Sequence, residues 1–219
     1  GPADFHGEAL AVEAAGVRFR LRGAAFALAL PGEHNALNAL AAAAAAAALG
    51  VAPARSAAAL QDFPGLRRRL ETVWAGSVVV IDDFAHNPAK VRSSLAAARL
   101  RGKRAIALYQ PHGFGPLKLA LEELAEAFAS GLGPEGKLFL LPVHYAGGTA
   151  RREVSSDDLA EAARRRGADA RLLDRPSAAA ATAAAAREGD VILVMGARDE
   201  TLSDLAREIA GQIQSHKVT

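Results

Sequence analysis

The sequence contains no cysteine. A disulfide framework, a thiolate metal site and a cysteine nucleophile are therefore excluded. The composition fits a reducing compartment, and a cytoplasmic protein is the expectation. No basic amino-terminal start is followed by a long apolar run, so no signal peptide is predicted. The most apolar stretch, residues 36–49, is mostly alanine and too short to cross a bilayer, so no membrane partner is expected. Charge of one sign is lacking too: the net charge is +2, too small to predict a nucleic-acid partner. There is no Gly-x-x-x-x-Gly-Lys-Ser/Thr phosphate loop, no Gly-x-Gly-x-x-Gly after a strand, and no nucleophile elbow. That argues against an elbow-type hydrolase. The opening Gly1-Pro2 reads as a protease-cleavage scar, and the natural chain is expected to begin further upstream.

What is present is enough for one large domain, or for one domain and part of another: 219 residues, 51% of them hydrophobic. Alanine supplies much of that fraction and buries little area, so the core must rest on Leu, Val, Ile and Phe. Residues 8–29 alternate short apolar runs with Gly16 and Gly23, a pattern of small antiparallel strands. Arg18, Arg20 and Arg22 alternate there with Val17, Phe19 and Leu21 and read as a solvent face. An alanine-rich helix follows over 33–49, stopped by Gly50, then a second short helix from Pro53 to about Asp62. Phe63-Pro64-Gly65 is a breaker and marks a domain boundary, giving units of 1–64 and 65–219.

Beyond it, strands are predicted at 77–82, 105–109, 138–141, 170–173 and 191–195. They alternate with helices opened by Asn87-Pro88, carried by Leu117, Leu121, Leu124 and Phe128, opened by a Ser155/Asp158 capping box, or rich in alanine after Pro176. The last helix carries Leu202, Leu205, Ile209 and Ile213. Five such units predict an α/β fold, a Rossmann-like, mostly parallel sheet with helices on both faces, preceded by a small α+β unit. Ligands of such sheets gather beyond the carboxyl ends of the strands. That rule singles out residues 82–88, 110–116, 142–148 and 196–199, all rich in Gly, Pro, His or Asp.

Four segments carry candidate chemistry. In Asp82-Asp83-Phe84-Ala85-His86-Asn87-Pro88 two carboxylates and an imidazole stand at a strand end. They suit ribose hydroxyls or a metal, or else Asp82 and Asn87 simply cap the next helix. In Gln110-Pro111-His112-Gly113 a histidine ends a buried strand, and glycine lets the backbone approach a ligand; a lone histidine is usually unremarkable. Asn35 and Asn38 share one side of a helix start, where amides match an adenine edge or act as ordinary caps. Arg67, Arg68 and Arg69 offer either a phosphate clamp or a solvated basic turn.

Taken in order, these motifs resemble the Mur ligases of peptidoglycan synthesis and recycling. Gly32-x-His34-Asn35-x-x-Asn38 resembles the family's adenine-holding helix start, and Arg68-Arg69-Leu70-Glu71 its interdomain Arg-Arg-Phe-Glu/Asp. The Asp82–Pro88 and Gln110-Pro111-His112 segments resemble the muramate–alanine branch, as does Met195-Gly196-Ala197. The resemblance implies the tail of a central ATP-binding domain followed by a complete carboxyl-terminal domain. The implied reaction is ATP-dependent amide formation: a carboxylate becomes an acyl phosphate, and an amine displaces phosphate. It further implies that His34, Asn35 and Asn38 contact adenine, Arg69 the nucleotide, and Asp83 its ribose or base. His86 and His112 would face the incoming amine, with Phe84, Asn87 and Gly113 also meeting substrate. The implied ligands are ATP, Mg2+ held by residues outside this chain, a UDP-muramoyl-type carboxylate, and an amino acid or peptide.

The departures bear on the acceptor. Where the alanine-adding enzymes carry two arginines, this chain has Gly113 and Pro116, which cannot hold a carboxylate bidentately. The acceptor is therefore open between free alanine and a bulkier peptide or other amine. Without a phosphate loop the chain alone is expected to be inactive and to bind ATP at about millimolar affinity or weaker. Two other readings fit the same absence: a non-catalytic nucleotide- or muropeptide-binding module, and an amide ligase outside cell-wall chemistry.

Overall fold

The computed structural model describes residues 5–147, 149 and 151–215. Gly1-Pro2 and Gly148 lie outside the described residues. The chain divides into two compact units, Gly1–Gly65 and Leu66–Thr219.

In the first unit, β1 (Gly7–Glu13), β2 (Gly16–Leu21) and β3 (Ala24–Leu28) form an antiparallel meander. Strand alternation sends Val17, Phe19 and Leu21 inward and leaves Arg18 and Arg20 exposed, as the sequence pattern requires. Phe19 pairs with Phe26 across the ladder, and their rings stack at 4.8 Å. The helices are α1 (Glu33–Ala48) and α2 (Pro53–Gln61). Ala36, Ala39 and Ala43 fall on the buried face of α1, at three- and four-residue spacing.

In the second unit six strands run in the order β4-β5-β9-β6-β7-β8. They are β4 (Glu71–Ala75), β5 (Val79–Asp83), β6 (Arg104–Gln110), β7 (Lys137–Leu140), β8 (Asp169–Leu172) and β9 (Asp190–Gly196). The helices are α3 (Pro88–Arg99), α4 (Phe114–Leu132), α5 (Ser156–Arg165), α6 (Arg175–Ala185) and α7 (Thr201–Ser215). All neighbouring strands pair in parallel except β4, which runs antiparallel to β5 at one edge. The sequence reading has no strand there. Glu71–Ala75 is interrupted by a bulge between Thr72 and Trp74 and is only half-buried, so it lacks a clean two-residue period.

Every residue of the central strands β6 and β9 is buried, which explains their continuous apolar runs. Alternate residues feed two cores. Ala107, Tyr109, Leu193 and Met195 pack with Leu95, Leu124 and Phe128 of α3 and α4. Ile106, Leu108, Ile192 and Val194 pack with Leu202, Leu205 and Ile209 of α7. Burying side chains of this size contributes about 1.5–3 kcal/mol each. The predicted caps are present: Asn87 accepts from the Lys90 N–H at 2.9 Å, and Ser155 with Asp158 closes a capping box on α5.

Candidate active site

Strand order decides which loops meet. Because β9 lies between β5 and β6, the segments leaving β5, β9, β6 and β7 emerge side by side at one carboxyl edge. The pairing continues past the strands: His112 bridges to His144, the Gly113 N–H donates to the His144 carbonyl at 2.9 Å, and the His144 N–H donates to the Pro111 carbonyl at 2.8 Å. Two loops distant in sequence are thereby fixed in register. Gly113, with φ of 68°, makes the left-handed turn into α4. At Gly196 a Cβ would lie 2.6 Å from Leu202 and 3.0 Å from the Gln110 carbonyl oxygen, so only glycine allows this approach.

Three histidines converge there. The His86 and His112 rings are 5.1 Å apart and nearly perpendicular, and Phe84 packs edge-on against His86 at 5.5 Å. His86 Nδ1 lies 2.8 Å from the Phe84 carbonyl oxygen. Only an N–H can face that oxygen, so in neutral His86 the lone pair resides on Nε2. The Tyr109 hydroxyl donates to the His86 carbonyl at 3.1 Å and fixes the same turn. Burial holds the His112 imidazolium below the ordinary range, and the charges of His86, Arg198 and His144 add to the effect. His112 is therefore neutral at neutral pH and available as a base. His144 Nδ1 lies 3.6 Å from an Asp199 carboxylate oxygen, and Asp199 also accepts from the Thr201 N–H and hydroxyl at the start of α7.

Hydrogen-bond accounting separates this edge from the rest of the sheet. Gln110 Oε1, His112 Nδ1 and the Tyr145 hydroxyl are all shielded from solvent, and none has a partner among the described residues. Buried polar atoms are rarely left so, and three of the five such atoms among the described residues lie on these two adjacent segments, the others being Ser56 Oγ and Thr182 Oγ1.

A family described as Mur ligase, glutamate ligase domain, matches residues 68–198. The chain belongs to the Mur ligase family. UDP-N-acetylmuramate–L-alanine ligase from Paenarthrobacter aurescens (strain TC1) is 40% identical over 177 residues, which cover 80% of this chain and 37% of that protein. The same-named protein of Anaeromyxobacter dehalogenans (strain 2CP-1) is 35% identical over 207 residues, covering 91% and 44%. A crystal structure of UDP-N-acetylmuramate-alanine ligase from Thermotoga maritima superposes with a TM-score of 0.78 at 23% identity, covering 97% of this chain and 46% of that one. At that identity the likeness is one of fold. The chain spans less than half the length of these Mur ligases.

The family motifs do not all stand where the sequence reading puts them. Asp82 and Asp83 are adjacent on β5, and strand alternation turns them to opposite faces. Asp82 accepts from the Ser203 hydroxyl at 2.5 Å and from Arg68 Nε at 3.4 Å. Asp83 accepts from the Leu70 N–H at 2.8 Å, the Ala85 N–H at 2.7 Å and the Ser94 hydroxyl at 3.1 Å. Burial pushes the Asp83 carboxyl up; these three donors and the Arg69 charge pull it back. The pair therefore forms neither a metal site nor a joint ribose grip. Asp83, which the resemblance places at the nucleotide, holds the Leu70 backbone beside Arg69.

The two arginines divide the roles the sequence left open. Arg68 is buried, donates to the Gly196 carbonyl at 2.8 Å and stacks over Phe84. Arg69 is exposed, with its guanidinium 5.5 Å from the Phe84 ring centre. Arg68 and Leu70 both have positive φ, 55° and 51°, and this turn sets the direction of the arginine between them. In the first unit α1 starts at Gly32 without a side-chain cap. The capping reading of Asn35 fails: its Nδ2 donates back to the Pro31 carbonyl at 2.8 Å, while Asn38 is exposed.

Gln110, His144, Tyr145, Arg198 and Asp199 are the site residues that sequence reasoning did not name singly. The strand-end rule marked the segments containing them, but the pairing of His144 with Asp199 depends on a strand order the sequence does not state.

Proposed function

We propose that this chain is the acceptor-side part of an ATP-dependent ligase that forms an amide between a UDP-N-acetylmuramic acid-type carboxylate and an amino acid or peptide. The carrying observation is the convergence of His86, His112 and His144 at the open carboxyl edge, with His112 held neutral, in a chain of the Mur ligase family. ATP supplies a phosphoryl group that turns the donor carboxylate into an acyl phosphate. The incoming ammonium must lose a proton before its nitrogen can attack the acyl carbon, and phosphate leaves as the C–N bond forms. A neutral imidazole is suited to take that proton, and His112 is assigned this task with His86 beside it. Phe84 and Asn87 flank His86, and Gly113 lets the acceptor approach the start of α4.

Arg69 is assigned to the nucleotide, its direction set by Arg68 and Asp83. His34, Asn35 and Asn38 are assigned to adenine on the resemblance of their motif. Mg2+ would neutralise phosphate charge, with ligands outside this chain. A cytoplasmic location belongs to the same proposal; no helix among the described residues is long and apolar enough to cross a membrane.

The test is an assay of the protein translated from the complete reading frame, with ATP, Mg2+, UDP-N-acetylmuramate and its peptide derivatives as donors, and a panel of amino acids and short peptides. The expected result is acceptor-dependent ADP release with a UDP-linked amide detected by mass. No amide with any pair would sink the ligase reading.

A further inference from the structure

Beside the histidines lies an aromatic pair with a cation on it. Phe114 follows Gly113 at the start of α4, and Tyr145 follows His144 after β7; their rings are 5.2 Å apart. The Arg152 guanidinium carbon sits 5.6 Å from the Phe114 ring centre and 5.5 Å from that of Tyr145. Both distances fall within the range of cation–π attraction. Two further facts set Arg152 apart from an ordinary surface cation. Its neighbours Arg151 and Lys118 both pair with Glu153, whereas Arg152 has no carboxylate partner among the described residues. The Tyr145 hydroxyl is shielded and has no hydrogen-bond partner among those residues.

We propose that Arg152, seated on Phe114 and Tyr145, anchors a carboxylate of the incoming amine substrate, with the Tyr145 hydroxyl as a second donor. A guanidinium is weakly hydrated, stacks by its face and donates from its edge, so the rings orient it without consuming its N–H groups. A carboxylate offers two oxygens to that edge and has a lone pair left for a phenol. The place is right for an acceptor. The Gly113 N–H to His144 carbonyl bond ties the two aromatic residues to the two histidines one and two positions earlier. A substrate whose amine reaches His112 can then set its carboxylate on Arg152. Gly113 and Pro116 bring no charge to the first turn of α4, so the cation on this platform arrives from the segment before α5. This assignment rests on the ligase reading for its substrate, though not for its chemistry.

The test separates the two. The 219-residue chain, labelled at arginine nitrogens, is titrated with L-alanine, L-glutamate and L-alaninamide. The expected result is a saturable shift of the Arg152 Nε resonance with both carboxylates and none with the amide. Arg152→Gln weakens carboxylate binding, followed at His112, by about tenfold to a hundredfold, the share of a lost charge-assisted pair. In the complete protein Arg152→Gln raises KM for the acceptor by a similar factor, leaves KM for ATP unchanged and moves kcat less than threefold. Tyr145→Phe gives a smaller rise of the same kind. An equal response to the amide, no response to any probe, or an unchanged affinity in Arg152→Gln overturns the assignment. Failure of the complete protein to make any amide, with the titration intact, overturns the ligase reading and leaves the carboxylate site standing.

Discussion

The two ends of strand β6 are built on opposite rules. At the amino end Arg104 is buried and grips Asp190 at the start of β9, with Nε to Oδ1 at 3.1 Å and Nη2 to Oδ2 at 2.5 Å. The same guanidinium donates to the Ala185 carbonyl, and the Arg187 N–H adds another donor to Asp190. The aspartate partner raises the Arg104 guanidinium further, against its burial. At the carboxyl end, Gln110 Oε1 and His112 Nδ1 are shielded with no partner among the described residues. One end is complete in itself. The other leaves shielded polar atoms without a partner among the described residues, which costs stability and fits the ligand-binding edge proposed above.

Breaking the closed end has the largest expected effect. Arg104→Met leaves Asp190 buried without its cation and is expected to cost about 3–5 kcal/mol in urea unfolding of the 219-residue chain. The double variant Arg104→Met, Asp190→Leu should recover much of that loss. A double variant as unstable as the single one would show that the pair does more than neutralise itself.

Changing the open end should show the reverse. His112→Gln removes the base and is expected to lower kcat of the complete ligase by about a hundredfold to ten-thousandfold, the usual share of a positioned proton acceptor. Urea stability should stay within about 0.5 kcal/mol, because His112 Nδ1 has no hydrogen-bond partner to lose among the described residues and only the ring contact with His86 changes. Equal stability with activity kept above a tenth of wild type would remove His112 from the chemistry.

Between these extremes lies the end of β5, where the sequence misleads. Asp82-Asp83 reads as a joint grip on ribose hydroxyls or a metal, or with Asp82 as a helix cap, because two carboxylates are adjacent at a strand end. Their separation to opposite faces follows from a strand that extends one residue beyond the predicted run, so that Asp83 pairs with Met195. The donors that claim Asp83 include the Leu70 and Ala85 backbone, which no sequence motif displays. What was legible came from periodicity and punctuation: the buried runs of β6 and β9, the Asn87 cap, the Ser155 box and the alternation in β2. What was not legible depends on neighbours far apart in the chain, as with β4, whose bulged half-buried residues carry no period, and His144 with Asp199. Asp83→Ala is expected to cost about 2–3 kcal/mol, because three donors lose their acceptor and two of them are backbone groups. Arg69→Ala should cost little stability while raising KM for ATP, so the pair of variants separates the residue that holds the turn from the one the turn presents.

The smallest expected effect concerns the state of His112 itself. Its folded pKa is held below 6.5, first by burial and then by the charges of His86, Arg198 and His144. The folded chain therefore binds fewer protons there than the unfolded chain in the window between the folded value and 6.5. Stability must rise with pH across that window and be lost as pH falls through the folded value. If the same imidazole accepts the substrate's proton, kcat/KM should fall on the acid side with its midpoint below 6.5. Arg198 is exposed, and Arg198→Gln removes one positive neighbour without opening the core. The acid limb of Arg198→Gln should therefore move up toward 6.5, only slightly because burial remains the main cause, and less at high salt where an exposed charge is screened. A limb that stays in place while kcat/KM changes would assign the titration to a group other than His112.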